Sequence, residues 1–378
     1  MPSRPLIAPC IGAALAALAG CSSAPPAPQP AELVAFKPAA SLRILWRGQV
    51  DAAGKNTYYP LVAGGAVYAV GTSGNVAGFD VHAGDTKARF EAGQRITGGV
   101  GGGADLLLLG TGKGEILAFD SSGRALWKTQ LSSEVLARPV AEDGIVVART
   151  ADGRIHGLDA ATGKSRWLHQ QRMPALTVRT HAGVVVQRGG VFAGFPGGRL
   201  VALALPSGKA GWEAVVALPR GTTELERVAD VTSLPVIDFP QVCAVAFQGR
   251  LACFDVQRGT PIWARDVSSV EGLAVDARYL YVTDDRNAVL ALDKTSGASV
   301  WRQDKLAGRN VSAPLPIGRY VAVGDLEGYV HLLSTEDGSF AARIETDGSA
   351  ISAPPVALGP SSFLVQTRDG GVFAIGIQ

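Results

Sequence analysis

The sequence predicts an all-β chain: an eight-bladed β-propeller of four-stranded antiparallel blades, its last blade closed by the N-terminal strand. Three observations carry that reading. An Asp/Gly/Trp pattern recurs at roughly 40 residues, the length of a four-stranded blade. Of 378 residues 47 are Gly and 47% are hydrophobic, which suits short strands and turns, and no stretch after the N-terminus keeps a helical period. The first strand lacks a turn before it and the last copy lacks a Trp strand after it, so the two ends complement each other.

The repeat is clearest from Gly153 to Trp167, with Asp159, Gly163 and Trp167 at its core. It returns as Asp255, Gly259 and Trp263, as Asp293, Gly297 and Trp301, and, one residue shorter, as Asp120, Gly123 and Trp127. Degraded copies keep Asp80 and Gly84 without the Trp, Gly208 and Trp212 with Ala204 for the Asp, and Gly338 with Ser334 for the Asp. An eighth begins at Gly370 and stops at the C-terminus. Within a copy, Asp ends a short strand and accepts backbone N–H groups across the turn. Gly supplies the positive φ of that turn. Trp lies on the next strand, a flat side chain suited to packing between sheets. Asp152-Gly153 and Asp369-Gly370 mark the preceding hairpins. The five repeat aspartates are therefore turn residues, not catalytic carboxylates.

Taken in order, the chain divides into residues 1–20, 21–41 and 42–378. Arg4 precedes an apolar run from Ile11 to Ala19, too short to span a membrane, and Leu18-Ala-Gly-Cys21 resembles a bacterial lipobox. That implies cleavage before Cys21 and acylation of its thiol, with Ser22 pointing to the outer membrane. An ordinary secretory leader with a chance Cys is the alternative. The Pro- and Ala-rich stretch Ser22 to Pro30 reads as a flexible tether, and 21–41 as a whole as the lipidated Cys and tether ahead of the propeller. Leu42 to Val50 is the closing strand.

The net charge of +2 argues against a nucleic-acid binder that relies on a strong basic field. Cys243 and Cys253 flank the Gln248-Gly249 hairpin. The compartment permits a disulfide. Cys253, however, holds the small-residue position of Gly78, Ala118 and Gly157, and a buried free thiol is the preferred expectation. The five histidines lack metal-ligand spacing, and His156 and His331 read as strand residues. Gly101 to Gly103 reads as a loop. No nucleophile elbow, Walker loop or Cys-x-x-Cys occurs, which leans the reading toward binding with no cofactor and no catalytic residue.

Two repeat spacings are long: Gly153 to Gly198 spans 45 residues and Gly198 to Gly249 spans 51. The extra residues fall at Gln171 to His181, which holds Leu176-Thr-Val-Arg179, and at Leu218 to Leu234, which holds Glu224, Arg227 and Asp230. Insertions in repeat proteins map to loops, and loops carry function. Both flank one blade and are expected to meet on one rim. The alternative for Leu176 and Val178 is a place in the blade core.

The repeat resembles the Ala-x-Asp-x-x-Thr-Gly-x-x-x-Trp motif of quinoprotein-like propellers, shared by quinone-dependent alcohol dehydrogenases and the BamB family of outer-membrane assembly lipoproteins. The lipobox, the Trp46 strand, the loop from Glu224 to Thr232 and the run from Val323 to His331 are similar to the BamB family over essentially the whole mature length. The dehydrogenases are much longer and carry adjacent cysteines, which this chain lacks. The family resemblance implies a non-enzymatic scaffold that binds the POTRA domains of BamA with the rest of the β-barrel assembly machinery, is lipid-anchored at the outer membrane and faces the periplasm; direct binding of unfolded outer-membrane proteins stays open. A lipoprotein propeller with a different periplasmic partner is the remaining alternative. In that family two rim segments are implicated in binding BamA, and the resemblance implies the same role here; one has the form Leu-x-Leu-Arg, matched by Leu176, Val178 and Arg179 with Val for the second Leu. Another ends Asp-x-Asp; Asp230 matches the first and Thr232 replaces the second, implying a lost acidic contact. Glu224 and Arg227 match residues earlier in that loop; Asp230 and Glu224 are expected either to orient Arg179 or Arg227 within the rim or to meet a partner's charges.

Overall fold

A computed structural model describes residues 29–378, apart from 104 and 180. Thirty-two strands and no helix are found among them. They form eight four-stranded antiparallel blades. Seven follow one another in sequence, blade 1 at residues 61–91 and blade 7 at 315–345. Blade 8 combines three C-terminal strands with Leu42–Gln49, which pairs with Gly371–Ile377 from Leu42 opposite Ile377 to Gln49 opposite Gly371. Ser41 and Gln378 exchange two backbone hydrogen bonds of 3.1 and 3.0 Å at the seam. The ring is thus closed by its own ends, as expected from the complementary half-repeats.

The apolar core is divided among the blade interfaces. Eight buried clusters lie one at each interface, such as Phe119 and Tyr68 between blades 1 and 2, or Trp46, Phe79 and Ala374 between blades 8 and 1. The first strands of successive blades neighbour one another around the axis, and the fourth strands face outward with alternating exposure.

Each element of the repeat has a physical role. The Asp159 carboxylate accepts the backbone N–H of Thr162 at 2.9 Å, and Asp255 and Asp293 each accept two backbone N–H groups of the same turn. All six tryptophans sit on outer strands and donate Nε1–H to the next blade, to the carbonyl of the residue just after the Asp position. Trp127 reaches Ala160 O at 2.9 Å, Trp167 reaches Leu205 O at 2.8 Å and Trp301 reaches Thr335 O at 2.8 Å; Trp46, Trp212 and Trp263 do the same. The indole lies flat on the turn glycine of that next blade. A Cβ at Gly163 would stand 2.5 Å from the Trp127 ring, so this glycine is needed for contact as well as for its φ of 69°. A register shift just after the residue opposite each Trp places one extra residue in the outer strand and helps aim the ring.

Three expectations change. Cys243 and Cys253 form a disulfide rather than carrying free thiols. They face each other directly on adjacent antiparallel strands with Cα atoms 4.0 Å apart, and the small-residue position of Cys253 is what lets the pair fit beneath Trp263. Gly101 to Gly103 are not a loop. They end the innermost strand of blade 2, Ile96–Gly103, and Gly102 bridges Val140 of blade 3. The Pro139 carbonyl occupies the space a side chain at Gly101 would need. Finally, the stretch assigned to the tether, 21–41, is docked from Ala31 onward. Ala31 N–H donates to Ala307 O at 2.9 Å, Arg309 Nη1 to Ala31 O at 2.9 Å and both Arg343 Nη atoms to Val34 O at 3.3 Å. Phe36 stacks on Phe340 with centroids 5.5 Å apart. Cys21 lies outside the described residues.

His156 and His331 are strand residues, as expected. His331 is fully buried. Its Nδ1 accepts from Arg343 Nε at 3.1 Å, so its proton is on Nε2 and is donated to Asp325 Oδ2 at 2.9 Å. Asp325 also accepts from Arg309 Nε at 2.7 Å. This buried network underlies the docked Ala31 to Phe36 arm.

Candidate functional site

The first insertion leaves blade 3 after Gln170 and crosses toward the axis before blade 4 starts at Val185. The second leaves blade 4 after Val215 and returns to blade 5 at Val236. Neither contains a strand among its described residues, so side-chain acceptors must satisfy much of its backbone. Asp230 does this for both. It is 1% exposed; one oxygen accepts the N–H of Val178 at 2.7 Å and the other that of Gly197, in the hairpin of blade 4, at 2.9 Å. The two loops therefore meet on one rim over blade 4.

Asp230 lies inside this rim, not on its surface. Its carboxylate is buried and engaged by backbone donors, so it positions the rim and does not present charge to a partner. Thr232 is buried too, with its hydroxyl donating to Val270 O at 3.3 Å, so the residue that replaces the family's second Asp lies under the surface. Asp230 and Glu224 do not hold Arg179. Glu134 does, from the link between blades 2 and 3, through a bidentate pair at 2.7 and 2.8 Å. No motif in the sequence marks Glu134, since its partner lies 45 residues away.

The remaining predicted residues are on the surface. Leu176 is 40% exposed and Val178 half-buried, so Leu176 is no part of the blade core. The Arg179 side chain is 66% exposed. Glu224 and Arg227 are exposed. Glu226 orders their turn: its carboxylate accepts the N–H groups of Thr223 and Thr222, which hold its pKa down to about 2, while Thr223 Oγ1 accepts the Glu226 N–H at 3.2 Å. This is a capping box, readable in Thr223-Glu-Leu-Glu226 and missed. Leu225 and Leu218, at 71% and 62% exposed, are the most solvent-exposed large apolar residues of the described chain and lie on the same loop.

Two hollows border this rim. One, of about 230 Å³, sits beneath the Arg179–Glu134 pair and is floored by Arg149. The other, of about 180 Å³, lies on the other side of Val178 and Arg179, with Tyr59, His181, Ser233 and Glu271 in its wall. Burial pushes the Glu271 carboxyl up to about 7 and, with Arg179 adding to it, lowers the His181 pKa. No group of three or more His, Cys, Asp or Glu among the described residues is placed to hold a metal ion.

Comparison with known proteins follows this geometry. Residues 72–303 match the family model described as outer membrane protein assembly factor BamB. A relative from Nitrosomonas eutropha with that same name is 44% identical over 349 residues, 92% of this chain and 85% of its own. The crystal structure of BamB from Moraxella catarrhalis superposes with a TM-score of 0.80 at 26% identity, covering 89% of this chain and 99% of that one. A quinohemoprotein alcohol dehydrogenase from Comamonas testosteroni reaches a TM-score of 0.71 at 12% identity, covering 89% of this chain and 76% of that one, a likeness of fold alone.

Proposed function

The chain belongs to the family of the outer membrane protein assembly factor BamB, and on that premise we propose that it is a non-enzymatic scaffold lipoprotein of the outer-membrane β-barrel assembly machinery. It docks the POTRA domains of BamA through the rim over blade 4 and is held at the periplasmic face of the outer membrane by an acylated Cys21. The observation that carries this reading is the convergence of both insertions on one rim, joined through Asp230. An interface needs an exposed apolar anchor next to a directional polar group. Leu176 and Val178 supply the first, and Arg179, preset by Glu134, supplies the second. Glu224 and Arg227 form the charged margin.

The test is capture of the tagged protein by the periplasmic region of its own BamA, wild type beside Arg179→Ala. The Arg179 side of the pair with Glu134 is 66% exposed, and surface ion pairs contribute about 0–1 kcal/mol to folding. Arg179→Ala is therefore expected to melt within a degree or two of wild type while losing capture. Capture by both proteins moves the contact elsewhere on the ring. Capture by neither overturns the scaffold reading. Cys21→Ser is expected to release the protein from outer-membrane fractions, and its retention there counts against the acyl anchor.

A further inference from the structure

We propose that the hollow beneath the Arg179–Glu134 bridge is a receptor for a single carboxylate group, gripped from below by Arg149. Arg149 ends the second strand of blade 3, Ile145–Arg149, after a run of apolar residues. It is 8% exposed. Its Nη1 donates to Gly194 O at 2.6 Å and Ala182 O at 3.2 Å, and its guanidinium lies 4.5 Å from the centroid of the Phe195 ring. Nε and Nη2 have no acceptor among the described residues. These two N–H groups form the parallel edge of a guanidinium that matches both oxygens of a carboxylate.

No carboxylate already fills that role. Asp230 acts on Arg149 as a negative charge, but its oxygens are engaged by the N–H groups of Val178 and Gly197. Glu134 has both oxygens on Arg179. A buried cation without a contacting anion is costly, and burial drags the Arg149 guanidinium down to about 10. The cavity beside it holds about 230 Å³, with Leu136, Met173 and Pro196 in its wall. That volume takes a carboxylate with its short carbon stem. The group has two possible sources, an acidic side chain of a docking protein or the free C-terminus of an extended chain. The site does not depend on the identity of the BamA-binding rim.

The chain contains two methionines, Met1 and Met173, so a ¹³C-methyl methionine label reports directly from the cavity wall. The full-length protein is titrated at low salt with N-acetyl-aspartate N-methylamide, which carries a side-chain carboxylate, and with N-acetylalanine, which carries a terminal one. The neutral controls are N-acetyl-asparagine N-methylamide and N-acetylalaninamide. A saturable shift of the Met173 methyl is expected with at least one acid, roughly tenfold or more weaker with the matching amide. The acid that binds tighter identifies the source. The shift is expected to vanish in Arg149→Met and in Thr177→Trp, which keeps Arg149 and fills the cavity from its loop side; if Arg149→Met fails to fold, Thr177→Trp decides. No saturable shift with either acid, equal shifts with acid and amide, or persistence in the folded variants overturns the proposal.

Discussion

The carboxylate of Asp230 accepts the backbone N–H of Val178 at 2.7 Å and so ties together two loops 52 residues apart in sequence. Its other oxygen accepts Gly197 N–H. Asp230→Ala would leave two donors unsatisfied where Asp230 is now 1% exposed. Hydrogen bonds to a charged acceptor contribute about 1.5–3 kcal/mol each, so a loss of about 3–6 kcal/mol is expected. Thermal unfolding should fall by several degrees and BamA capture should weaken, although Asp230 presents no surface. An unchanged melting curve would mean that water replaces the carboxylate and that the rim does not depend on it.

The turn glycine under each Trp gives a second, sharper test. Gly163 has a φ of 69° and a Cβ there would overlap Trp127, whereas Gly189 has a φ of 74° and nothing within 4 Å. Gly189→Ala should cost only the left-handed backbone penalty of about 1–2 kcal/mol. Gly163→Ala adds the displacement of the indole and its bond to Ala160 O, for about 3–4 kcal/mol in all. Chemical denaturation of the two variants compares them, and equal losses would show that the indole contact contributes nothing.

Removing Leu42–Gln49 takes away the outer strand of blade 8, together with Trp46 and its bond to Val81 O in blade 1. The edge of Gly371–Ile377 is then unpaired and the cluster between blades 8 and 1 loses its Trp. The expected outcome is a broad, early unfolding transition in place of a single cooperative one. A curve superimposable on wild type would rule out closure by this strand.

Acid should loosen the docked arm first. Burial raises the Asp325 carboxyl, but His331, Arg309 and the Tyr329 N–H outweigh it and hold its pKa below the ordinary value. Burial also lowers the His331 pKa, against the pull of Asp325. Both folded values lie below the unfolded ones, so each contribution is complete above the unfolded pKa and is lost as pH falls. For His331 the loss begins below about 6.5, and for Asp325 below about 4. Protonation would place a proton on Nδ1 against Arg343, whose Nη atoms hold Val34. Between pH 7 and 5 the melting temperature of wild type should fall more steeply than that of His331→Gln. Parallel slopes would assign the acid sensitivity to other groups.

Much of this architecture was legible because it is local. The Asp turn and the hairpin glycines act within a few residues, and the Trp lies eight residues after the Asp in the full-length copies, so their chemistry repeats visibly along the chain. The insertions were legible as breaks in that period. The disulfide was not, because the strand register that faces Cys243 to Cys253 depends on where the hairpin turns. The triple glycine was misread because its reason, the Pro139 carbonyl, belongs to the next blade.

The sequence by itself determined the number of blades, the ring closure and the two segments that form the rim. Only the tertiary structure decided where each rim residue lies and what it touches. It placed Asp230 inside as a staple, gave Arg179 to Glu134, left one edge of Arg149 facing a hollow, and laid Ala31 to Phe36 along blades 6 and 7. The physical reason is distance along the chain. A repeat encodes contacts made within its own 40 or so residues, whereas these pairs lie 45, 52 and 278 residues apart; the first two meet because neighbouring blades stack side by side, the last because the ring closes.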